Sequence, residues 1–243
     1  MKKACVVKAH RAGLFSLINK IITCAEIYEN VHVDLSGSLY GEGNVWDALF
    51  EPTTPPEEPY DVIETYPHQD YTYRGPALLY TDPSDAWRHR LHALWLRFKV
   101  RPEVMYWADA FTNNVGPYVS VQILSLAHAG EQITGESQAM ERYEETLWAT
   151  LRPGESVFPL VNDVETRKWL AYRFPISEIT NARRAANRYV DFHLSCPQTF
   201  EDAKEALIEV LIASRARAIC HPISNMATAA LYMNPELESI YLP

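Results

Sequence analysis

CHPISNMATAALY, residues 220–232, is the stretch that decides the fold. A short apolar run, Ala218-Ile-Cys-His221, meets Pro222, which cannot donate to a strand ladder and so ends the extended segment. Ser224 and Asn225 then stand at the start of a small-residue helix reaching Met233. A strand, a tight turn and a helix in this order form part of a parallel α/β unit. The hydroxyl, the amide and the open backbone N–H groups at that helix start can hold a phosphate oxygen without any charged residue. They also make a plain N-cap, since Ser and Asn are preferred capping residues, and the residues alone leave both readings open. Ala227, Ala229 and Ala230 allow the helix to approach a ligand or another backbone closely.

Moving upstream, the same alternation recurs. The spacing predicts a strand over 119–124, a helix over 138–151, a strand over 157–161, and helices over 164–174 and 200–214. At the N-terminus a strand over 4–9 runs into the Arg11-Ala-Gly13 turn. Leu14, Leu17, Ile18, Ile21, Ile22 and Ala25 then recur at helical spacing. A second strand (31–35), a loop with three glycines (36–44) and a short helix (46–50) follow. The proline-rich 52–59 lacks the amide donors of regular structure. Helices are expected over 84–98, capped by Asp82-Pro83-Ser84, and over 102–112, opened by Pro102. The fold class is therefore α/β with parallel sheets in two lobes, 1–115 and 116–243, the second better formed.

Ligands of such sheets bind beyond the carboxyl ends of the strands. That singles out four turns: 9–13, 122–131, 160–164 with Asn162 and Asp163, and 220–226. The second belongs to YVSVQILSLAHAGE (118–131), a buried-type strand bearing Gln122 and Leu124 and followed by His128-Ala-Gly-Glu131. Glu131 or His128 can serve as a general base for a hydroxyl nucleophile, or the four residues can be a capping turn. On the 200–214 helix, Asp202, Glu205 and Glu209 share a face that reads as a solvated stripe. Glu209 nonetheless lies among Ile208, Val210, Leu211 and Ile212, where a carboxylate could accept two hydrogen bonds from a guanine-like edge.

Composition narrows the choice. With 31 acidic against 22 basic residues the net charge is -9, and no long Lys/Arg run exists, so a nucleic-acid or anionic-lipid partner is not expected. The N-terminus has no signal-length or membrane-spanning apolar run, which predicts a cytoplasmic protein without a transmembrane segment. Cysteines 5, 24, 196 and 220 are too scattered for a zinc site or a disulfide framework and read as free, mostly buried thiols. Histidines 68, 89, 92 and 128 lack a complete ligand set, so no metal is expected. The glycine motifs of dinucleotide, P-loop and serine-hydrolase sites are missing.

The order of Arg11-Ala-Gly13-Leu-Phe-Ser16, the 118–124 strand with HAGE, FPLVND (158–163), DAKEALIEVLIASRAR (202–217) and HPISNMATAALYMNP (221–235) resembles the fucosyltransferase superfamily. The nodulation, core and protein O-fucosyltransferases belong to it. The resemblance covers nearly all of the second lobe, most specifically 202–235, and less clearly the first 50 residues. It implies a GT-B-like pair of Rossmann-like lobes and a metal-independent, inverting transfer of fucose or a related sugar to a glycan or polysaccharide. The donor would be a nucleotide sugar, usually GDP-linked, with no other cofactor, bound mainly on the second lobe. By the same resemblance Glu209 would bind the base, Ser224 and Asn225 would lie near the pyrophosphate, Asp163 would match a strand-end aspartate and Glu131 the base, with His128 beside it.

Members carry His-x-Arg where this chain has Gln122 and Leu124. Losing an arginine at a diphosphate removes a charge-assisted contact of about 1.5–3 kcal/mol. Three consequences are consistent with that loss. Another cation takes over, with Arg11, Arg183, Arg184 or Arg188 as candidates and Gly13 giving backbone access. Or a different nucleotide is read by the Gln122 amide. Or catalysis is gone, leaving a sugar-binding or partner-binding relative.

Overall fold

In the computed structural model, residues 2–8, 12–57, 59–64, 84–124, 140–179, 183–186, 189 and 197–242 are described. The first sheet holds β1 (Lys2–Lys8), β2 (Tyr28–Asp34) and β3 (Asp61–Glu64) in the order β2-β1-β3, all parallel. Around it lie α1 (Leu14–Ile27), α2 (Val45–Leu49), α3 (Asp85–Trp95) and α4 (Pro102–Asn114). The second sheet holds β4 (Tyr118–Ile123), β5 (Ser156–Val161), β6 (Ala218–His221) and β7 (Glu238–Tyr241) in the order β5-β4-β6-β7, again parallel. Its helices are α5 (Met140–Thr150), α6 (Val164–Arg173), α7 (Phe200–Ser214) and α8 (Asn225–Met233). The expected α/β alternation is thus present, and two strands join it that the pattern does not announce, β3 and β7.

Local chemistry explains several boundaries. Asn44, Asp163 and Ser224 cap α2, α6 and α8 through their side chains, and Thr199 with Asp202 forms a reciprocal capping box on α7. Ser84 occupies the N-cap of α3 but makes no side-chain cap bond. β4 is buried at every residue, as a strand flanked by parallel neighbours and covered on both faces should be. Cys5, Cys24 and Cys220 are buried free thiols, whereas Cys196 lies outside the described residues.

Two apolar cores form. The larger joins α1, α2, α3, α4, α7 and α8 to the first sheet and to one face of the second. Its centre is aromatic: Trp46 stacks on Phe50 at 3.9 Å, Phe50 meets Trp95 at 5.7 Å, and Trp95 meets Tyr232 of α8 at 6.0 Å. Polar contacts reinforce that junction, for His92 donates to the Tyr232 carbonyl at 2.9 Å and Arg88 to the Leu237 carbonyl at 3.0 Å. The smaller core, with Tyr143, Leu147, Leu170 and Phe174, seats α5 and α6 on the second sheet. Among the described residues no helix is long and apolar enough to cross a membrane.

Candidate functional site

Strand order locates the site before any side chain is considered. From β4 the chain moves to β5 on one side and later to β6 on the other, so the connections diverge beside β4. Such a reversal leaves a crevice at the carboxyl ends. β4 and β6 pair only through Ser120↔Ile219 and Val121↔Cys220, so their ladder stops before Gln122 and the crevice begins there.

Gln122, the next-to-last residue of β4, has 2% of its surface exposed. Its Oε1 accepts the hydroxyl proton of Ser224, while Ser224 Oγ accepts from the Ala227 N–H at 3.0 Å. Asn225 is held from the first lobe: Asn19 of α1 donates from Nδ2 to Asn225 Oδ1 at 2.9 Å and to its carbonyl at 3.3 Å. Asn19 Oδ1 in turn accepts from Tyr232 at 2.9 Å. Asn19 is a functional neighbour that the sequence reading missed; its signal was one amide in the apolar run LFSLINKIIT, and it is 1% exposed.

Asp163 closes the β5 side. One carboxylate oxygen caps α6 by accepting from Thr166 N–H at 2.7 Å, and Oδ2 is buried with no partner among the described residues. Residues 183–186 extend this edge: Ala185 donates to the Asn162 carbonyl at 2.8 Å and accepts from Val164 at 3.0 Å.

The acids of α7 face this added segment instead of forming a solvated stripe. Asp202 binds Arg183 at 2.8 Å, and Glu209 binds Arg184 at 2.6 Å with side-chain exposures of 9% and 6%. Arg184 also donates to the Val161 carbonyl at 2.6 Å. Burial pushes the Glu209 carboxyl above the ordinary carboxylate range, and Arg184 and then Arg167 oppose that rise. A phosphate contact by Arg184 would require it to leave a buried carboxylate, and a base edge would meet Glu209 through its second oxygen.

The structure therefore gathers Gln122, Asp163, Glu209, Ser224 and Asn225 at the carboxyl ends of β4, β5 and β6. Gly13 caps α1 through its backbone, six residues before Asn19. Arg11, His128, Glu131 and Arg188 lie outside the described residues. His221 is tied to Ser239 and the Pro222 carbonyl, each at 2.8 Å. No group of three metal-ligating side chains occurs among the described residues. A groove of about 790 Å³ between α3, α7 and α8 has Trp95, Leu211 and Met233 in its walls. It is formed at the opposite ends of those helices and shares no residue with the carboxyl-end cluster.

Solved structures align with the chain along almost its whole length. NodZ alpha-1,6-fucosyltransferase co-crystallised with GDP superposes with a TM-score of 0.58 at 15% identity, covering 97% of this chain and 94% of that one. The chain has the fucosyltransferase fold. NodZ from Bradyrhizobium aligns with a TM-score of 0.57 at 14% identity, covering 97% and 95%. A variant of FUT1 from Arabidopsis thaliana in complex with GDP gives 0.54 at 12% identity, covering 100% of this chain and 71% of that one. No family model and no characterised sequence matches the chain. The similarity to the fucosyltransferase fold thus lies in three dimensions, and the GT-B-like architecture expected from the turn order is the one observed.

Proposed function

We propose that this protein is a glycosyltransferase that moves fucose or a related sugar from a nucleoside diphosphate donor to a glycan or polysaccharide. The transfer would invert the anomeric carbon without a metal ion. The observation that carries this reading is the gathering of Gln122, Asp163, Glu209, Ser224 and Asn225 at the strand-order reversal of a fold shared end to end with NodZ. NodZ has been crystallised with GDP and soaked with GDP-fucose.

In this reading the donor lies on residues 116–243 and the acceptor approaches from the 1–115 side. Gln122 and Glu209 face the base, Ser224 and Asn225 face the pyrophosphate, and Asp163 accepts a hydrogen bond from the donor. Glu131, with His128 beside it, takes the acceptor hydroxyl proton as the new C–O bond forms at the anomeric carbon. The bond to the diphosphate breaks in the same displacement, its electron pair leaving with the nucleotide, and the start of α8 offers donors to the growing charge. A cytoplasmic place in glycan assembly fits this chemistry.

The second reading, an inactive sugar-binding or partner-binding relative, is favoured by Leu124 and by the pairing of Arg183 and Arg184 with acids. Incubation with GDP-, UDP-, CDP- and dTDP-sugars and a panel of oligosaccharides separates the two. Release of nucleoside diphosphate with a matching mass gain on an oligosaccharide supports transfer. Binding without turnover for every pair supports the inactive relative.

A further inference from the structure

Resting on that reading of the site, we infer that Asn19, on α1 of the first lobe, is a positioning residue that fixes the axial register of α8 and with it the place of Asn225. Asn19 stands in the apolar run LFSLINKIIT and is 1% exposed. Its amide is engaged at both ends. The Asn225 carbonyl can only accept, so the Asn19 atom that meets it at 3.3 Å, and meets the Asn225 side-chain oxygen at 2.9 Å, is nitrogen. The opposite atom is the oxygen, and it accepts from the buried Tyr232 hydroxyl at 2.9 Å. One side chain thus holds the first residue of α8 by backbone and side chain together, and holds the same helix again at its next-to-last residue.

Packing alone defines that register weakly. α8 lies against α1, α3 and α7, and the buried Ala227, Ala229 and Ala230 have no side chain beyond Cβ to interlock with a neighbour. A small shift of α8 along α1 costs such a surface little, whereas it strips the buried amide and the Tyr232 hydroxyl of their partners, which is expensive. A single buried Asn sets the register of packed helices in the same way in coiled coils. An apolar residue at position 19 would fill the core equally well, so what the amide adds is the placement of α8. The first lobe therefore sets the geometry of a subsite carried by the second.

The test is titration calorimetry with GDP, UDP, CDP and dTDP on the full chain, with circular dichroism melting to report folding. Asn19→Leu keeps the volume and removes every bond to α8, leaving the Tyr232 hydroxyl buried without an acceptor. Adding Tyr232→Phe removes that orphan, and replacing both partners by apolar groups of similar shape should bring the melting temperature back toward wild type. The Kd of the nucleotide that binds best should nonetheless be raised by at least about fivefold in Asn19→Leu and in the double variant, the worth of one neutral hydrogen bond. Tyr232→Phe alone leaves both contacts between Asn19 and Asn225 in place and should keep Kd within about twofold. A double variant that binds as tightly as wild type overturns this inference and leaves the transferase reading standing. A Kd raised as much by Tyr232→Phe as by Asn19→Leu also overturns it, because general loosening of the core then accounts for the loss. Absence of any nucleotide binding in the wild type overturns this inference and the transferase reading together.

Discussion

Replacing Arg184 by methionine leaves Glu209 buried without its cation. The pair is 2.6 Å apart, with side chains 6% and 9% exposed. Removing one partner of such a pair costs about 3–5 kcal/mol, and the Val161 carbonyl loses its donor as well.

 The released carbonyl is the one Arg184 meets at 2.6 Å. Set against a total stability of about 5–15 kcal/mol, this is a large share. Burial already holds the Glu209 carboxyl above its ordinary range, and losing Arg184 moves it higher. A carboxyl whose pKa is raised by folding binds its proton more tightly in the folded state. The penalty is therefore full near neutrality and shrinks as pH falls toward the value of the unfolded chain. Urea unfolding at about pH 7.5 should show the midpoint lowered by about 1–2 M, for a slope of roughly 2–3 kcal/mol/M. At about pH 5 the difference from wild type should be clearly smaller. Arg184→Met combined with Glu209→Met should recover most of the loss, because an apolar pair can replace a buried ion pair. An unchanged midpoint at neutral pH, or a loss of equal size at both pH values, would refute the assignment of Arg184 as the compensating charge.

Three further outcomes follow from other contacts. Asp163→Ala removes the cap of α6 and should cost about 1 kcal/mol in urea unfolding, whereas Asp163→Asn retains an acceptor for Thr166 and should cost less. Arg217 grips Glu155 through two nitrogens and lowers its carboxyl from 4.5 to about 2, so this stabilisation is present above pH 4.5 and lost as pH falls through about 2. Glu155→Gln should accordingly flatten the acid limb of a stability–pH curve. Leu124→Arg should tighten nucleoside diphosphate binding by about tenfold or more at low salt, with the gain fading as salt rises; calorimetry showing no gain would place Leu124 away from the phosphates.

The parts of the fold that the sequence made legible are those where one segment carries its own signal. Val119, Val121 and Ile123 mark a strand buried by its neighbours, and Pro222, Ser224 and the alanines of α8 mark a turn and a cap in one short run. β3 and β7 escaped because, unlike the equally short but fully buried β6, they have no buried apolar run: Val62 of β3 is exposed and β7 has no fully buried residue. The acidic face of α7 misled for a different reason. Asp202, Glu205 and Glu209 have the spacing of a solvated stripe, and the arginines that cover Asp202 and Glu209 arrive from residues 183–184, outside the helix. Asn19 was visible as a lone amide on an apolar helix, but its partners, Asn225 and Tyr232, are more than 200 residues away. Long-range polar pairs leave no periodicity to read.

Binding of a sugar nucleotide at the carboxyl ends of β4 and β6 is the central claim, and a melting experiment with GDP and GDP-fucose tests it most directly. Ligand at 100 times its dissociation constant adds about 2.7 kcal/mol, which for a chain of this size raises the melting temperature by roughly 5–10 °C. The account predicts such a rise with at least one nucleoside diphosphate or its sugar, and a smaller rise in Gln122→Glu. A melting temperature unmoved by GDP, UDP, CDP and dTDP species at millimolar concentration would contradict it.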